Sequence, residues 1–204
     1  KQRDSGWALL VATTELGSGI LSLVLSHLVT YSRSHVKGEF VGHRQGVAQH
    51  IGQLFAYGAE FLRGVYRNFG TDDFDDLMSA VDALVERGTV DPDRLGFTGY
   101  SYGGLMTNVV VSRTDRFQCA VSIAGIWNYT SAIGQNNPQL FIDSYRQPWA
   151  GDLQRMWEHS PASRAASITT PTLVMHGLED EPVDPRQSIE MFSYLQLNGV
   201  PSRL

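Results

Sequence analysis

The sequence predicts an α/β domain with a mostly parallel sheet and helices on both of its faces. Short apolar runs, typical of buried strands, alternate along the chain with amphipathic segments of helical spacing. A Gly-x-Ser-x-Gly pentapeptide, Gly99-Tyr100-Ser101-Tyr102-Gly103, lies between one such strand and the next helical segment. With 204 residues, 42% of them apolar and 18% charged, the chain has the composition of one globular domain, which we expect to be incomplete.

The first helix is predicted after residue 71. Apolar residues recur there at helical spacing, and aspartates crowd the first turn, where the helix dipole favours negative charge. Arg87-Gly88 closes this helix, and Asp91-Pro92-Asp93 then makes a turn. The short apolar run 94–98 is predicted to be a buried strand that ends at the pentapeptide.

Further elements follow the pentapeptide. Residues 105–111 are predicted to be helical because of their position, although three consecutive valines have modest helix propensity. Residues 118–123 and 172–175 are compact apolar runs before glycine-containing turns, which indicates two more buried strands, and Cys119 is expected to be buried on the first. The last helix starts at Asp184-Pro185 and stops at Asn198-Gly199.

The first 55 residues show no comparable order of strand and helix. We therefore divide the chain into an atypical N-terminal segment, 1–55, and a catalytic domain, 56–204. The most apolar early stretch, 16–29, is shorter than a membrane-spanning helix and is interrupted by polar side chains. We expect neither a membrane segment nor a signal peptide.

The charge balance and the cysteine count narrow the possible partners and compartments. A formal net charge of −5 and the lack of any basic cluster argue against nucleic-acid binding, which depends on contacts of Lys and Arg with phosphates. A single cysteine, Cys119, allows no internal disulfide and favours a cytoplasmic location. Histidines at 27, 35, 43 and 50 are about eight residues apart, unlike the close spacing of helical zinc ligands, and we expect no metal.

The pentapeptide predicts a nucleophilic serine. In such an elbow the serine occupies a strained backbone position between strand and helix, so that the Ser101 hydroxyl is presented to solvent. The backbone N–H of Tyr102, at the start of the helix, can then stabilise the negative oxygen of a tetrahedral intermediate. This arrangement predicts the α/β-hydrolase fold.

A second motif, His176-Gly177-Leu178-Glu179-Asp180, follows a predicted strand. Asp180 is the candidate acid that orients a catalytic base, in the Ser, Asp, His order of this fold, and Glu179 is its competitor. His176 lies at the end of the strand, on the wrong side of the acid for that order. We expect it to pack or to form hydrogen bonds locally.

These motifs carry a family resemblance. The segment 69–77, the segment 90–96, the elbow with Gly104-Leu105-Met106-Thr107, and the segment 171–177 with Asp180, Val183, Gln187 and Ser188 occur in the order seen in the prolyl oligopeptidase family. The chain resembles the catalytic domain of that family over residues 56–204, with acylaminoacyl-peptidase and dipeptidyl-peptidase-like members fitting best.

The resemblance implies a serine peptidase that hydrolyses peptide bonds through an acyl-enzyme on Ser101. It implies Asp180 as the triad acid, the Tyr102 amide as an oxyanion donor, and Ile126 and Trp127 as borders of the substrate pocket. A peptide substrate is expected, and no metal or organic cofactor. Two rival hypotheses remain: a carboxylesterase, because the same elbow serves esterases, and a truncated, catalytically silent hydrolase domain.

The hypothesis of a catalytically silent domain arises from two departures from the family pattern. The family's histidine follows one further strand, whereas this sequence stops at Leu204, so that no residue is assigned as the base. A His-Gly-Gly type loop that would complete the oxyanion site is not evident near the N-terminus. We therefore expect a fragment with little triad activity, and the sequence predicts no oligomeric state.

Overall fold

The computed structural model describes residues 8–12, 69–88, 90–135, 138, 141, 145 and 148–204. Most of the segment 1–55, including His27, His35, His43 and His50, lies outside the described residues. Strand β1, Ala8–Ala12, is the exception. The sequence did not predict this strand, because a short apolar run without clear flanking turns is ambiguous when considered alone.

Within the described residues, the sheet has five parallel strands in the order β1-β2-β3-β4-β5. After β1, these are β2, Leu95–Tyr100; β3, Cys119–Ile123; β4, Thr172–Met175; and β5, Ser202–Arg203. The predicted strands at 94–98, 118–123 and 172–175 are thus confirmed within one or two residues. Parallel neighbours place the carboxyl ends of all strands at one edge of the sheet, where ligands bind in open α/β folds.

Five α-helices lie among the described residues. They are α1, Asp72–Glu86; α2, Tyr102–Arg113; α3, Tyr129–Ala132; α4, Leu153–His159; and α5, Arg186–Leu197. Short 3₁₀ helices span Pro92–Arg94, Pro148–Ala150 and Pro161–Ser167. The predicted helices after residue 71, after the elbow and after Pro185 are confirmed. Among the residues described here, no helix has the length and apolar character needed to cross a membrane.

Two apolar clusters cover one face of the sheet. Phe97 pairs in register with Ala120, so their side chains lie on the same face. Phe97 packs with α1 and α2 in the first cluster, and Ala120 packs with Val174 and α5 in the second. Helix α2 lies centrally and is buried from Gly103 to Ser112, which explains why its three valines are helical: burial outweighs their weak propensity.

The opposite face is more open in the described part of the chain. Leu173 is 37% exposed, and Tyr100 and Met175 are each 47% exposed. Cys119 lies on this face and is exposed, so the expectation of a buried cysteine was wrong. The alternation of side chains along β3 buries Ala120 and Ser122 and directs Cys119 to the other side. Helices α1, α2 and α5, whose apolar residues form the two clusters, thus pack on one face of the sheet. That helices also cover the opposite face stays a prediction.

Candidate active site

Ser101 occupies a strained backbone position between β2 and α2. Its φ of 58° and ψ of −119° lie in a region that residues with a Cβ rarely adopt. Its amide donates a hydrogen bond to the Ile123 carbonyl oxygen (2.9 Å), which ties the elbow to the end of β3. Ser101 is half-buried and, within the described structure, its side chain does not cap α2. The hydroxyl is therefore not committed to the helix.

Two glycines let the first turn of α2 approach the segment after β3. A Cβ on Gly104 would lie 2.3 Å from the Ile123 oxygen, and a Cβ on Gly125 would lie 2.4 Å from the Gly104 carbonyl carbon. Both contacts are with backbone, which cannot move aside without shifting the strand. The sequence predicted glycines at the elbow, but Gly125 was not recognised, since its requirement depends on a neighbour 21 positions away.

The Tyr102 amide lies at the first position of α2, where backbone N–H groups have no partner within the helix. The Tyr102 phenol donates a hydrogen bond to Asp73 Oδ2 (2.5 Å). Burial, followed by the nearby Asp73, raises the pKa of this phenol well above its usual value. Burial also raises the pKa of Asp73, against the opposing effect of the Tyr102 hydrogen bond. From the sequence, Asp73 was assigned to the favourable start of a helix and to the family segment 69–77, without a role at the elbow.

Asp180 lies in the loop after β4. Its Oδ1 accepts a hydrogen bond from the Val183 amide (3.0 Å), and its Oδ2 lies 3.3 Å from His176 Nε2. The Asp180 amide donates to the Gly177 carbonyl oxygen (3.2 Å). The side chain of Asp180 keeps 15% exposure, whereas Glu179 is exposed. The carboxylate of Asp180 is thus held by its own loop, as an orienting acid must be.

The buried His176 side chain contacts two residues of this loop, Asp180 and Val183. Its side chain is 3% exposed; Nε2 donates to the Val183 carbonyl oxygen (2.9 Å), and Nδ1 lies 2.6 Å from the Ser188 hydroxyl. A carbonyl oxygen only accepts, so Nε2 carries a proton, while Nδ1 lies within hydrogen-bond distance of the Ser188 hydroxyl. The expected local hydrogen bonding of His176 is confirmed, and both ring nitrogens are engaged.

An open groove of about 1020 Å³ runs along the carboxyl ends of β2, β3 and β4. It is lined by Tyr100, Ile123, Ala124, Met175 and residues 176–182, which include Asp180. Tyr100 is the residue immediately before Ser101. The elbow and the acid loop therefore lie at the same edge of the sheet, where the groove is open to solvent.

Ile126 and Trp127 follow β3 and differ in exposure. Ile126 is half-buried and packs against the first apolar cluster, as Tyr102 does. Trp127 is fully buried in the second cluster, where its ring meets Tyr194 edge-on at a centroid distance of 5.8 Å. Their role as pocket borders stays a prediction; the structure places the Trp127 side chain inside the core.

Gln187, in the first turn of α5, holds the segment after β3. It is 1% exposed, and its Oε1 accepts hydrogen bonds from the Trp127 and Asn128 amides, both at 2.9 Å. Its Nε2 donates to the Ser131 hydroxyl and to Gln135 Oε1, also at 2.9 Å. In the sequence, Gln187 is recognisable only as part of a motif, because partners more than fifty positions away carry no local signal.

The described residues contain no group of three His, Cys, Asp or Glu side chains arranged to hold a metal ion. The four N-terminal histidines lie outside that part of the chain. At the carboxyl edge of the sheet the structure places a serine at a strained elbow after β2 and a carboxylate in an ordered loop after β4. With the parallel sheet around them, they define the α/β-hydrolase class of fold.

Comparison with known proteins identifies the family. A model of the prolyl oligopeptidase family matches residues 50–204. The chain is 37% identical over 151 residues to the "Uncharacterized peptidase YuxL" of Bacillus subtilis, covering 72% of this chain and 23% of that protein. It is 28% identical over 181 residues to the acylamino-acid-releasing enzyme of Arabidopsis thaliana, covering 84% and 24%.

A solved structure agrees with this assignment. The puromycin-hydrolyzing peptidase of Mycobacterium tuberculosis is 31% identical and superposes with a TM-score of 0.66, covering 72% of this chain and 22% of that one. The chain belongs to the prolyl oligopeptidase family. It spans about a quarter of the length of the relatives it matches.

Proposed function

We propose that this chain carries the nucleophile and the acid of a serine peptidase. The observation that carries the proposal is the conformation of Ser101: a non-glycine residue at a φ of 58°, at the amino end of a buried helix, beside an open groove. Strain of this kind costs on the order of 1–3 kcal/mol and persists where the surrounding structure enforces it, as at reactive sites.

In the proposed reaction the Ser101 oxygen attacks the carbonyl carbon of a peptide bond and loses its proton to a base. The Tyr102 amide stabilises the oxyanion, the amine leaves with a proton, and water hydrolyses the resulting ester of Ser101. Asp180 would orient and stabilise the base. No described residue is assigned as that base, since His176 already uses both ring nitrogens.

A peptide or related amide substrate is supported by the family and by the names of its members. One relative is named for releasing acylamino acids, and one solved relative is named for hydrolysing puromycin. For this chain we propose a peptide substrate beside Ser101. Ile126, which is half-buried, would border the pocket for the side chain next to the cleaved bond, and Trp127, which is fully buried in the second apolar cluster, would support that border from the core. The elbow alone does not separate peptide from ester hydrolysis.

A fluorophosphonate probe tests the proposal, because it reacts selectively with activated serines. The chain, Ser101→Ala and Ser193→Ala are labelled in parallel; Ser193 is an exposed serine of α5 and serves as the matched control. Enzymes of this class that lose a triad member keep a residual catalysis on the order of 10³ over water from the oxyanion site and binding. Labelling of a chain without an assigned base is therefore expected to be slow, and its rate is followed at high probe concentration.

We expect labelling that is lost in Ser101→Ala and kept in Ser193→Ala. Labelling that is spread over exposed serines, or unchanged in Ser101→Ala, would refute the proposal. A preference for ester over peptide anilide in hydrolysis assays would favour the carboxylesterase hypothesis.

A further inference from the structure

Helix α2 begins without the usual side-chain cap. Its N-cap residue is Ser101, a residue type that commonly caps helices, yet its side chain makes no capping hydrogen bond. Two residues of the first turn, Gly103 and Gly104, each disfavour a helix by about 1 kcal/mol relative to alanine. Because the Ser101 hydroxyl does not cap α2, the first turn of this helix must be held in place by another interaction.

The Tyr102 side chain provides one. Its phenol donates to Asp73 Oδ2 (2.5 Å), across 29 positions of sequence. Its ring also meets Phe69 edge-on at a centroid distance of 6.0 Å. The anchored side chain and the amide proposed as oxyanion donor belong to the same residue, so restraint of one restrains the other.

Asp73 is itself held by backbone groups. Its Oδ1 accepts from the Phe74 amide (3.0 Å), and its Oδ2 also accepts from the Gly70 amide (3.3 Å). Arg113, at the far end of α2, donates to the Gly70 carbonyl oxygen (2.8 Å) and lies 4.3 Å from the centre of the Phe74 ring. The start of α1 is thus joined to both ends of α2.

We propose that Asp73 is a positioning residue of the elbow, which fixes the Tyr102 phenol and thereby the direction of the Tyr102 amide. The proposal rests on the proposed function for its catalytic meaning. Asp73 contacts the elbow through the Tyr102 phenol and takes no part in the attack of Ser101 on the substrate carbonyl. Its carboxylate accepts from the Gly70 and Phe74 amides and from the Tyr102 phenol, so it anchors the start of α2 through a side chain rather than by capping the amides of that helix.

The competing explanation is purely structural: the hydrogen bond would only join two helices. The two explanations differ in where the effect of a substitution appears. A positioning residue affects the elbow amides and the reactivity of Ser101 more than the rest of the sheet. A simple tether would loosen β2 and β3 to the same extent or leave the elbow unaffected.

Four variants of the full chain separate these explanations. Tyr102→Phe removes the phenol donor, and Asp73→Ala removes its acceptor. Asp73→Asn keeps an acceptor oxygen, and Asp72→Asn is the matched control, since Asp72 is exposed in the same helical turn. Amide hydrogen exchange at Ser101, Leu105, β2 and β3 is measured together with the rate of fluorophosphonate labelling.

We expect exchange at the Ser101 and Leu105 amides, which donate to the Ile123 and Ser101 carbonyl oxygens, to rise by about tenfold or more in Tyr102→Phe and Asp73→Ala, with labelling slowed by about tenfold. Exchange in β2 and β3 should change far less. Asp73→Asn should fall between the parent and Asp73→Ala, because one of its two acceptor oxygens becomes a donor, and Asp72→Asn should stay near the parent. Unchanged exchange at the elbow, an equal rise across β2 and β3, or unchanged labelling would overturn the inference. If the parent chain does not label at all, the proposed function fails, and the exchange pattern still decides whether Asp73 positions the elbow.

Discussion

At the scale of single residues, the properties of this chain depend on where backbone strain and close packing are tolerated. Ser101 adopts a conformation suited to glycine, while Gly104 and Gly125 lie where no Cβ fits. The elbow residues could be recognised from the sequence because their spacing is local. Gly125 and Asp73 could not, since their importance comes from contacts with residues 21 and 29 positions away.

The strained backbone at Ser101 should lower the stability of the folded chain, while the serine hydroxyl that it presents is needed for reactivity. Ser101→Gly should be more stable to urea than Ser101→Ala by about 1 kcal/mol, because glycine relieves the positive φ while alanine retains its Cβ. Both variants should lose labelling by the fluorophosphonate probe. Equal stability of the two variants, or a less stable glycine variant, would show that the elbow holds no such strain.

At the scale of elements, the pattern of apolar residues was sufficient to predict the three central strands and their helices. Strand β1 was missed, because its pairing with β2 is not visible in a short, isolated apolar run. The exposure of Cys119 was also missed, because strand periodicity sets which residues share a face but not which face is covered. The link between α5 and the segment after β3 depends on a single glutamine.

The hydrogen bonds of Gln187 lead to a specific prediction about stability. Gln187→Ala leaves the buried Trp127 and Asn128 amides without their acceptor, which should lower the free energy of unfolding by about 2–4 kcal/mol. Gln196→Ala, in the same helix, is the control: Gln196 is exposed and bonds Ser202, so its loss should cost under about 1 kcal/mol. Urea unfolding of both variants measures the difference. Similar losses would contradict a clamping role for Gln187.

At the scale of the whole molecule, burial of tyrosines connects the core to pH. Tyr129 and Tyr145 are fully buried, with ring centroids 5.9 Å apart, in the first apolar cluster beside the elbow. Burial raises the pKa of both phenols above the usual value. A phenol whose pKa is higher in the folded than in the unfolded chain adds stability that is complete below pH about 10 and is lost as the pH rises through the folded value.

We therefore predict that the free energy of unfolding falls steeply above pH about 10. Ultraviolet titration should show these phenols ionising late and together with the loss of helical circular dichroism. Tyr129→Phe should flatten the alkaline limb of the stability curve, since it removes one of the linked protons. Complete ionisation of all tyrosines near pH 10 in a chain that stays folded would contradict the buried cluster.

The central claim, that Ser101 is the acylated nucleophile, is tested most directly by trapping its acyl form. The chain is mixed with an activated acyl-peptide ester, quenched in acid and digested with trypsin, which places Ser101 in the peptide 95–113 and the exposed Cys119 in a separate peptide. The account predicts an added acyl mass on Ser101 that is absent from Ser101→Ala. An acyl group found on Cys119 or spread over other residues, with Ser101 unmodified, would contradict it.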